Sequence, residues 1–384
     1  MNRRSFIAAG AALLAHPAIA HTSKLVSIRD AYTLWYNRPS AITLPDGFAF
    51  GFITSSGGIE VANVDERLRL RERHRLFSFN RASDHGAPAL LRIPAGPYQG
   101  HVLACFSNHA SELFMTRTAG ANDISTWGPV KSVDEGRCTY ASLGATPEGA
   151  VVLMYTKQHS YGKYERGQWR ETLYMMSRDG GDTWSPPIGL IRFGPGTFPY
   201  STPMSLSANG KLATSYALYT YDQQRHMGLA LAIADIDTGT VESKTIVSTN
   251  DRDELIPYET KWKGETIYMT FSRLSSGRAT ACIAKTNVGV SPIEQSNIGP
   301  VAICGYASGA ALSPDCHSIF FSPPSGGLMQ RMLKTGRTRS ILGRGRYSMP
   351  FTLSQPGKTV VGVSKDQVVR SSISFGADLT ILYV

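Results

Sequence analysis

One polar turn motif recurs along this chain, and its spacing constrains the fold more than any other feature of the sequence. The fullest copy reads Ser177-Arg178-Asp179-Gly180-Gly181-Asp182-Thr183-Trp184. Weaker copies follow at intervals of about 50 to 60 residues, and each closes a short apolar segment with a Gly-containing turn. This period, without helical periodicity, predicts a radial array of four-stranded antiparallel blades, which is a β-propeller.

The apolar segments before these turns are predicted to be equivalent strands of successive blades. They are residues 113–115, 173–176, 229–233, 281–284 and 329–333. Counting blades from residues 48–76 to residues 347–384 predicts an all-β fold with a single propeller of seven blades, or six if the N-terminal segment is a cap. We expect residues 32–36 to pair with residues 379–384 and close the ring, because closure removes exposed strand edges.

The residue types of the motif indicate a structural turn. Asp and Ser side chains can bond backbone N–H groups, Gly supplies a positive φ, and Trp can pack between neighbouring sheets. The motif resembles the Asp-box, or BNR repeat, of sialidase-like propellers. That resemblance implies a turn on the outer part of the ring, far from the active site.

Residues 1–20 have the pattern of an export signal. Arg3 and Arg4 precede an Ala- and Leu-rich stretch, and Ala18-Ile19-Ala20 forms a small-x-small cleavage site. The paired arginines favour the twin-arginine route, with a general secretory or uncleaved signal as the alternative. We therefore expect a bacterial protein that is periplasmic or secreted, with residues 21–384 as one propeller domain. No later apolar run reaches the roughly 18 residues that span a bilayer.

The charge balance favours an acidic partner. The chain has 39 Lys and Arg against 29 Asp and Glu, a formal net charge of +10. A basic surface attracts polyanions, and since no nucleic-acid motif is present, we expect an anionic polysaccharide or oligosaccharide and not DNA. The 5 cysteines show no metal-ligand spacing. We expect a monomer that needs no metal and no cofactor.

The segments that begin successive blades align on a histidine or a tyrosine. Because the first strand of a propeller blade is innermost, these side chains are predicted to line a funnel at one mouth of the axial channel. A tyrosine there can stack on a sugar ring and transfer a proton; the alternative is that the rings only pack the inner strands. The predicted funnel consists of His85, Tyr140, Tyr200, Tyr258, Tyr306 and Tyr347. Histidines without this context are expected to be surface or structural residues: His101, His159, His226 and His317.

A narrower resemblance begins at His85. Residues 83–90, 106–109, 122–127 and 138–140 look like the run D-D-H-N-x-P, G-x-H-N, D-I-x-x-W and V-T-Y-P of BNR-repeat proteins of the ulvan-lyase type. Those proteins are seven-bladed propellers that cleave uronate-containing polysaccharides, and the likeness is best over about residues 45–190. The resemblance implies that His85 and His109 contact the reacting uronate, that Tyr140 acts as base or acid, and that Tyr200 lies nearby.

Elimination at a uronate requires three functions. A cation or donor neutralises the carboxylate, a base takes the C5 proton, and an acid protonates the departing O4. The arginine of the resembled family falls near residues 154–157, where this chain has Lys157. Lys157 is a point charge without the planar fork of arginine, and Arg170 on the next strand could substitute for it.

The sequence is also compatible with two other functions. Glu259, Arg273, Arg331 and Tyr347 follow the order of the sialidase glutamate, carboxylate-binding arginines and tyrosine nucleophile, although Gly86 stands where sialidases carry another arginine. This order predicts a sialidase-like exo-glycoside hydrolase as the alternative to a lyase. A glycan-binding propeller without catalysis is the third. The substrate-binding candidates are Lys157, Arg170, Tyr258, Glu259, Arg273 and Tyr347.

Overall fold

The computed structural model describes residues 24–33, 38–83, 85–159, 169–220, 225–249, 253–288, 293–302, 309–365 and 377–384. Every regular element in these ranges is a β-strand, which confirms the predicted all-β class. No helix in the same ranges is long and apolar enough to cross a bilayer. The predicted export signal and Tyr306 lie outside the described residues.

The strands follow one another through short turns. In the first half of the chain they are β1 (Leu25–Ile28), β2 (Ala41–Leu44), β3 (Gly47–Ile53), β4 (Gly58–Asp65), β5 (Leu70–Ser78), β6 (Ala89–Arg92), β7 (Val102–Phe106), β8 (Ser111–Gly120), β9 (Asp123–Trp127), β10 (Lys131–Ala145), β11 (Val151–His159), β12 (Trp169–Ser177), β13 (Ile188–Arg192) and β14 (Thr197–Ser201). In the second half they are β15 (Ser205–Leu206), β16 (Lys211–Thr220), β17 (Arg225–Asp235), β18 (Val241–Val247), β19 (Asp253–Lys263), β20 (Thr266–Ser275), β21 (Arg278–Asn287), β22 (Glu294–Val301), β23 (Ala310–Leu312), β24 (Ser318–Phe321), β25 (Leu328–Met332), β26 (Thr338–Leu342), β27 (Tyr347–Gln355), β28 (Lys358–Lys365) and β29 (Asp378–Tyr383).

Consecutive strands pair antiparallel into successive sheets. The strands β2 to β5, β19 to β22 and β23 to β26 each form a 4-stranded sheet, and β14 to β18 form a 5-stranded one. An 8-stranded sheet contains β6 to β13, and β10 runs through its middle, pairing with β8 near its start and with β11 near its end. The last sheet joins β27, β28 and β29 to β1.

The inner strands of these sheets form a closed circuit, which gives the molecule the plan of a β-propeller. β2 contacts β6, β6 contacts β10, and the contacts continue through β15, β19, β23 and β27 back to β2. The second strand of the first complete sheet, β3, is buried along its whole length. The outer strand β5 alternates charged and half-buried residues, as expected at a solvated edge.

The ring closes through the two ends of the chain, but not through the strand predicted from the sequence. Leu25 pairs with Leu382 and Ile28 with Leu379, so β1 is the closing strand. Of the expected residues 32–36, Tyr32 bridges to Ile53 in a neighbouring sheet, and residues 34–36 lie outside the described part of the chain. The prediction of closure is thus confirmed, and the prediction of residues 32–36 as its strand is wrong.

The first blade also begins earlier than predicted. Residues 48–53 belong to β3, the second strand of its sheet, and the inner strand is β2. The four residues of β2 are too short a run to show a strand period. The segments predicted from the repeat fall in β8, β12, β17, β21 and β25, apart from the last residue of 329–333.

The turn after β12 has the chemistry that its residue types predict. The Gly181 N–H donates to Ser177 Oγ at 2.7 Å, and the Thr183 N–H donates to Asp179 Oδ1 at 2.9 Å. Hydrogen bonds from Thr183 lower the pKa of Asp179 to about 2. Since β12 begins at Trp169 and ends at Ser177, this turn lies at the opposite end of its sheet from Arg170 and Lys157.

Asp179→Asn is expected to lower the free energy of unfolding by about 1 kcal/mol at neutral pH, because it weakens the acceptor of this turn. The folded-state pKa of Asp179, about 2, lies below its unfolded value. The stabilising effect is therefore complete above the unfolded pKa and is lost as the pH falls through the folded one. Urea unfolding at neutral and acid pH measures both effects.

Asp237→Asn is the matched control, since the exposed carboxylate of Asp237 lies 3.4 Å from Arg178 in a solvent-facing pair. We expect it to change stability much less. Equal losses in the two variants would contradict a specific role for Asp179.

Candidate functional site

A buried histidine and a buried tyrosine form the centre of the candidate site. His85 precedes β6, and its Nε2 lies 2.7 Å from the Oη of Tyr140 on β10. The other side of the ring is held by Ser83, whose Oγ accepts the His85 N–H at 3.2 Å and lies 3.5 Å from Nδ1. Both rings are more than nine-tenths buried. A phenol and an imidazole this close can exchange a proton.

His109 covers the buried ring of His85. The two imidazoles stack with centroids 4.4 Å apart and planes inclined by 22°. His109 lies in the loop between β7 and β8, where its N–H donates to Asn108 Oδ1 at 3.0 Å. Its side chain is exposed. A ligand at this mouth of the ring would therefore meet His109 first, with the His85–Tyr140 pair behind it.

Tyr140 adopts a backbone conformation that is rare for a tyrosine. Its φ is +59°, and the pairing of β10 with β11 shifts between Thr139 and Ser142, which marks a β-bulge. A bulge turns a side chain out of the regular alternation of its strand and is common beside functional sites. A non-Gly residue in this region costs of order 1–3 kcal/mol and persists where its surroundings hold it. Here the bulge directs the hydroxyl to His85.

A second group of rings continues from Tyr140 around the mouth. Tyr140 and Tyr200 have centroids 6.2 Å apart, and His226 meets the Tyr200 ring edge-on at 4.6 Å. Tyr219, opposite His226 in the β16–β17 hairpin, lies 5.9 Å from Tyr200. His226, which the sequence predicts to be a surface or structural residue, is buried and contacts a candidate site residue.

His226 is oriented by a carboxylate from the next sheet. Its Nδ1 lies 2.6 Å from Glu254 Oε1, and its buried Nε2 has no hydrogen-bond partner among the described residues. Burial alone would raise the pKa of Glu254, but hydrogen bonding and the charge of His226 outweigh it and hold that pKa below its ordinary value. The linear sequence carries no signal for this pair, because Glu254 and His226 lie on different blades.

Lys157 and Arg170, the two residues considered for binding the uronate carboxylate, differ in their partners. Lys157 Nζ lies 2.9 and 2.8 Å from the two carboxylate oxygens of Asp134. Burial opposes the ionisation of Asp134, but hydrogen bonds from Lys157, the Gly136 N–H and Tyr155 leave its pKa below the ordinary value. Arg170 lies over the ring of Tyr200, 5.8 Å from its centroid. Arg170, not Lys157, thus contacts the ring cluster.

Of the remaining substrate-binding candidates, Glu259, Arg273 and Tyr347 have other partners, and Tyr258 lies in the same core cluster as Tyr140. Glu259 Oε2 accepts the Leu312 N–H at 2.8 Å and Arg273 Nε lies 4.0 Å from Asp253 Oδ2. Tyr347 packs against a separate apolar cluster that includes Phe320. Tyr258 is buried in the central core together with Tyr140. Of the predicted funnel, His85, Tyr140 and Tyr200 therefore form one cluster and Tyr258 lies in the same core, whereas Tyr347 packs elsewhere. His109, Tyr219 and His226 also belong to that cluster.

The described residues contain no group of three or more His, Cys, Asp or Glu side chains placed to hold a metal ion. The cysteines among them, Cys105, Cys138, Cys282 and Cys316, are free and buried.

Comparison with known proteins supports the fold. No family model and no curated protein matches the chain. Among solved structures, one described as a PL25 ulvan lyase aligns with a TM-score of 0.67 at 11% identity, covering 93% of each chain. A second, described as a PL25 ulvan lyase bound to -[GlcA(1-4)Rha3S]-, gives 0.66 at 10% identity with the same coverage.

Two other solved structures show how widely this architecture is shared. The Cps50 (Swd1) β-propeller domain of Myceliophteria thermophila has a TM-score of 0.53 at 12% identity, covering 94% of this chain and 99% of that one. A GH93 α-L-arabinofuranosidase of Fusarium graminearum, solved with arabinobiose, has 0.53 at 13% identity, with 94% and 97% covered. These likenesses place the chain among the propellers and, at such low identity, show the fold alone.

Glu254→Gln keeps the shape of the side chain and removes the charge that pairs with His226. We expect a loss of about 1–3 kcal/mol in the free energy of unfolding at neutral pH, as for a hydrogen bond to a charged group. Because the folded-state pKa of Glu254 is lowered, its contribution is present above the unfolded pKa and is lost as the pH falls through the folded one. Thermal unfolding from neutral to acid pH measures the difference.

Glu294→Gln is the control, since Glu294 and Lys285 form an exposed pair at 2.8 Å. Exposed pairs contribute about 0–1 kcal/mol. A loss in Glu254→Gln no larger than that of the control would show that the pair with His226 does not stabilise the fold.

Proposed function

We propose that this protein is a polysaccharide lyase that cleaves a uronate-containing anionic polysaccharide by β-elimination. The observation that supports this most directly is the 2.7 Å contact between His85 Nε2 and Tyr140 Oη, made by a tyrosine in a strained backbone conformation. Strain at a single residue beside a polar cluster is typical of functional sites. His109 and Tyr200 complete the reaction centre.

The site has the proton-transfer groups that elimination requires. In this reaction a base takes the C5 proton, a double bond forms between C4 and C5, the C4–O4 bond breaks, and O4 receives a proton. We assign proton exchange with the sugar to Tyr140, which can pass a proton to or take one from His85 Nε2. Tyr200, 6.2 Å from Tyr140 between ring centroids, is the nearest second phenol of the cluster.

Neutralisation of the uronate carboxylate is assigned to Arg170 and His109. Lys157 is held by both oxygens of Asp134, whereas Arg170 lies over Tyr200, inside the ring cluster. An arginine can also bind a carboxylate through two parallel hydrogen bonds. His109, exposed above His85, can donate to the same group. His226, fixed by Glu254, positions Tyr200.

The substrate class is inferred from charge and from the comparisons. The formal charge of +10 favours an anionic glycan. The ulvan lyase structure that shares this fold is described with a bound fragment containing glucuronate and a sulfated rhamnose. Uronate-containing polysaccharides are therefore the substrates to test first.

The number of blades, the type of turn after β12, the export signal and the oligomeric state are also part of this proposal. Dividing the 8-stranded sheet at β10 gives two blades, and with the other sheets the ring has seven. We infer that the turn after β12 is an Asp-box of the BNR type. Residues 1–20 serve as a twin-arginine signal in this proposal, and the mature protein acts as a monomer in the periplasm or outside the cell.

A glycoside hydrolase is the second candidate, because a GH93 arabinofuranosidase has the same fold. A sialidase-like site is less compatible with the structure at one position. A Cβ added at Gly86 would lie 2.5 Å from Ile53 Cδ1, the end of a flexible side chain, so the arginine that sialidases carry there would require the Ile53 side chain to shift. A glycan-binding protein without catalysis is the third candidate.

A screen of uronate polysaccharides distinguishes the three. A lyase generates an unsaturated uronate, which is detected by its ultraviolet absorbance and by product mass. A hydrolase releases saturated products, and sialic acid release would identify the sialidase alternative. Binding without any product would leave the glycan-binding function.

His109→Ala is expected to abolish turnover and leave the fold intact, because the His109 side chain is exposed and its ring lies above the reaction centre. The rate of unsaturated product formation and the thermal unfolding temperature measure the two effects. His317→Ala, also at an exposed histidine, is the control and should keep full activity. A fully active His109→Ala protein would exclude this histidine from the mechanism.

Tyr140→Phe should reduce kcat by roughly 10²- to 10⁴-fold, the usual contribution of general acid–base catalysis. The change removes only the hydroxyl that contacts His85. Tyr216→Phe serves as the control, because Tyr216 is a buried tyrosine whose hydroxyl contacts Ser243 at 2.9 Å, in a different cluster. Equal activity in the two variants would rule out Tyr140 as the proton-transfer group.

A further inference from the structure

A cavity of about 450 Å³ lies inside the ring among the inner strands, and we call it the axial cavity. Residues of β2, β6, β19, β23 and β27 line it, together with residues 203–205. None of His85, His109, Tyr140 and Tyr200 lines it, so the axial cavity is separate from the reaction centre proposed above. Its volume falls in the range of small-molecule sites, roughly 300 to 1,000 Å³.

Arg38 brings a buried, unsatisfied donor to the axial cavity. Its Nη1 donates to Ser40 Oγ, and its guanidinium lies over the Phe351 ring, 4.6 Å from the centroid. Its Nη2 is buried and has no hydrogen-bond partner in the described part of the chain. Burial lowers the pKa of Arg38 to about 10, an effect that Glu259 opposes, so the group stays charged at neutral pH. A buried charged donor without an acceptor is costly, and a bound anion would supply that acceptor.

Positive charge exceeds negative charge on the walls of the cavity. Its lining contains Arg38, Arg92 and Lys261, and Glu259 is the one carboxylate among the described lining residues. Glu259 is already shared, because it accepts the Leu312 N–H at 2.8 Å and lies 3.0 Å from Lys261 Nζ. The guanidinium of Arg38 is therefore not fully compensated by the protein.

Two hydroxyl groups of the walls donate to backbone carbonyls. Thr352 Oγ1 donates to the Leu312 carbonyl at 2.6 Å, and Thr43 Oγ1 donates to the Ser354 carbonyl at 3.1 Å. Much of the remaining surface is apolar and suits the body of a compact organic molecule. It includes Ile42, Leu91, Met204 and Leu353.

We propose that the axial cavity binds a small oxyanion through Nη2 of Arg38. A carboxylate fits the planar guanidinium and can accept two hydrogen bonds from it. An organic acid of monosaccharide size fits the volume and the apolar walls, and inorganic sulfate shares the same anionic chemistry. This site is independent of the proposed lyase activity, since binding here uses none of the groups assigned to the reaction.

Isothermal titration calorimetry on the full chain tests the proposal with three probes: glucuronate, glucose and inorganic sulfate at constant ionic strength. We expect glucuronate to bind and glucose, which has similar size and no charge, not to bind. Binding of sulfate without glucuronate would support the anion site and assign it to an inorganic ion. Failure of both anions to bind the wild-type protein would overturn the proposal.

Variants separate this site from the reaction centre. Arg38→Met keeps a long side chain over Phe351 and should raise Kd roughly 10- to 100-fold, the effect of losing a charged hydrogen bond. Glu259→Gln should lower Kd, because the change removes the one carboxylate among the described lining residues. This second variant tests the proposal if Arg38→Met does not fold. A protein carrying both His109→Ala and Tyr140→Phe should still bind the anion. Binding lost in that double variant but retained in Arg38→Met would show that the anion occupies the reaction centre instead.

Discussion

The pairing of β1 with β29 joins the two ends of the described chain in one sheet, and the ring depends on it. Each sheet of the propeller buries its faces against two neighbours, so an open ring would leave one face and one strand edge exposed. Closure brings Ile28 and Ile381 into the same core cluster as Phe50 and Phe351, which pack with centroids 6.2 Å apart. The first and last sheets are thereby fused into one core, and the inner strands are held at fixed positions around the axis.

Bulges in the inner strands convert this regular scaffold into a site. The pairing shifts at Tyr140 on β10, at Tyr258 on β19, and beside Met349 on β27, so three inner strands are interrupted at corresponding places. At each bulge, one side chain departs from the regular alternation between the two faces of the strand. Tyr140 meets a histidine, and its positive φ is offset by burial and by the contact with His85. The site thus combines a recurring distortion of the inner strands with side chains particular to the 8-stranded sheet.

Sequence patterns predicted the parts of the fold that repeat. The turn chemistry of Asp179 and the apolar strands before the turns could be predicted because each is local and recurs. The closing strand could not, since the four residues of β1 form an outer strand of weak pattern, whereas residues 32–36 are richer in aromatic and apolar side chains. The pair of His226 and Glu254 was missed for a different reason: it joins residues 28 positions apart on separate blades.

The same distinction between local patterns and long-range packing applies to the candidate site. His85, His109 and Tyr140 were identified by resemblance and are brought together by the fold, while the side-chain environments of Lys157, Glu259 and Tyr347 depend on packing that no linear motif encodes. Lys157 illustrates this, because the pairing of β10 with β11 places it opposite Cys138, and its partner Asp134 lies four residues earlier on β10, in the part that pairs with β8.

The continuity of β10 has a mechanical consequence. This strand is hydrogen-bonded to β8 along its first half and to β11 along its second half, so the strands next to His85 and His109 and the strand that carries Tyr140 belong to one hydrogen-bonded sheet. Neighbouring sheets that pack only through side chains can slide past one another by small shear movements. The hydrogen bonds that join β8, β10 and β11 oppose such movement, which favours a fixed spacing between the segments that carry His85, His109 and Tyr140.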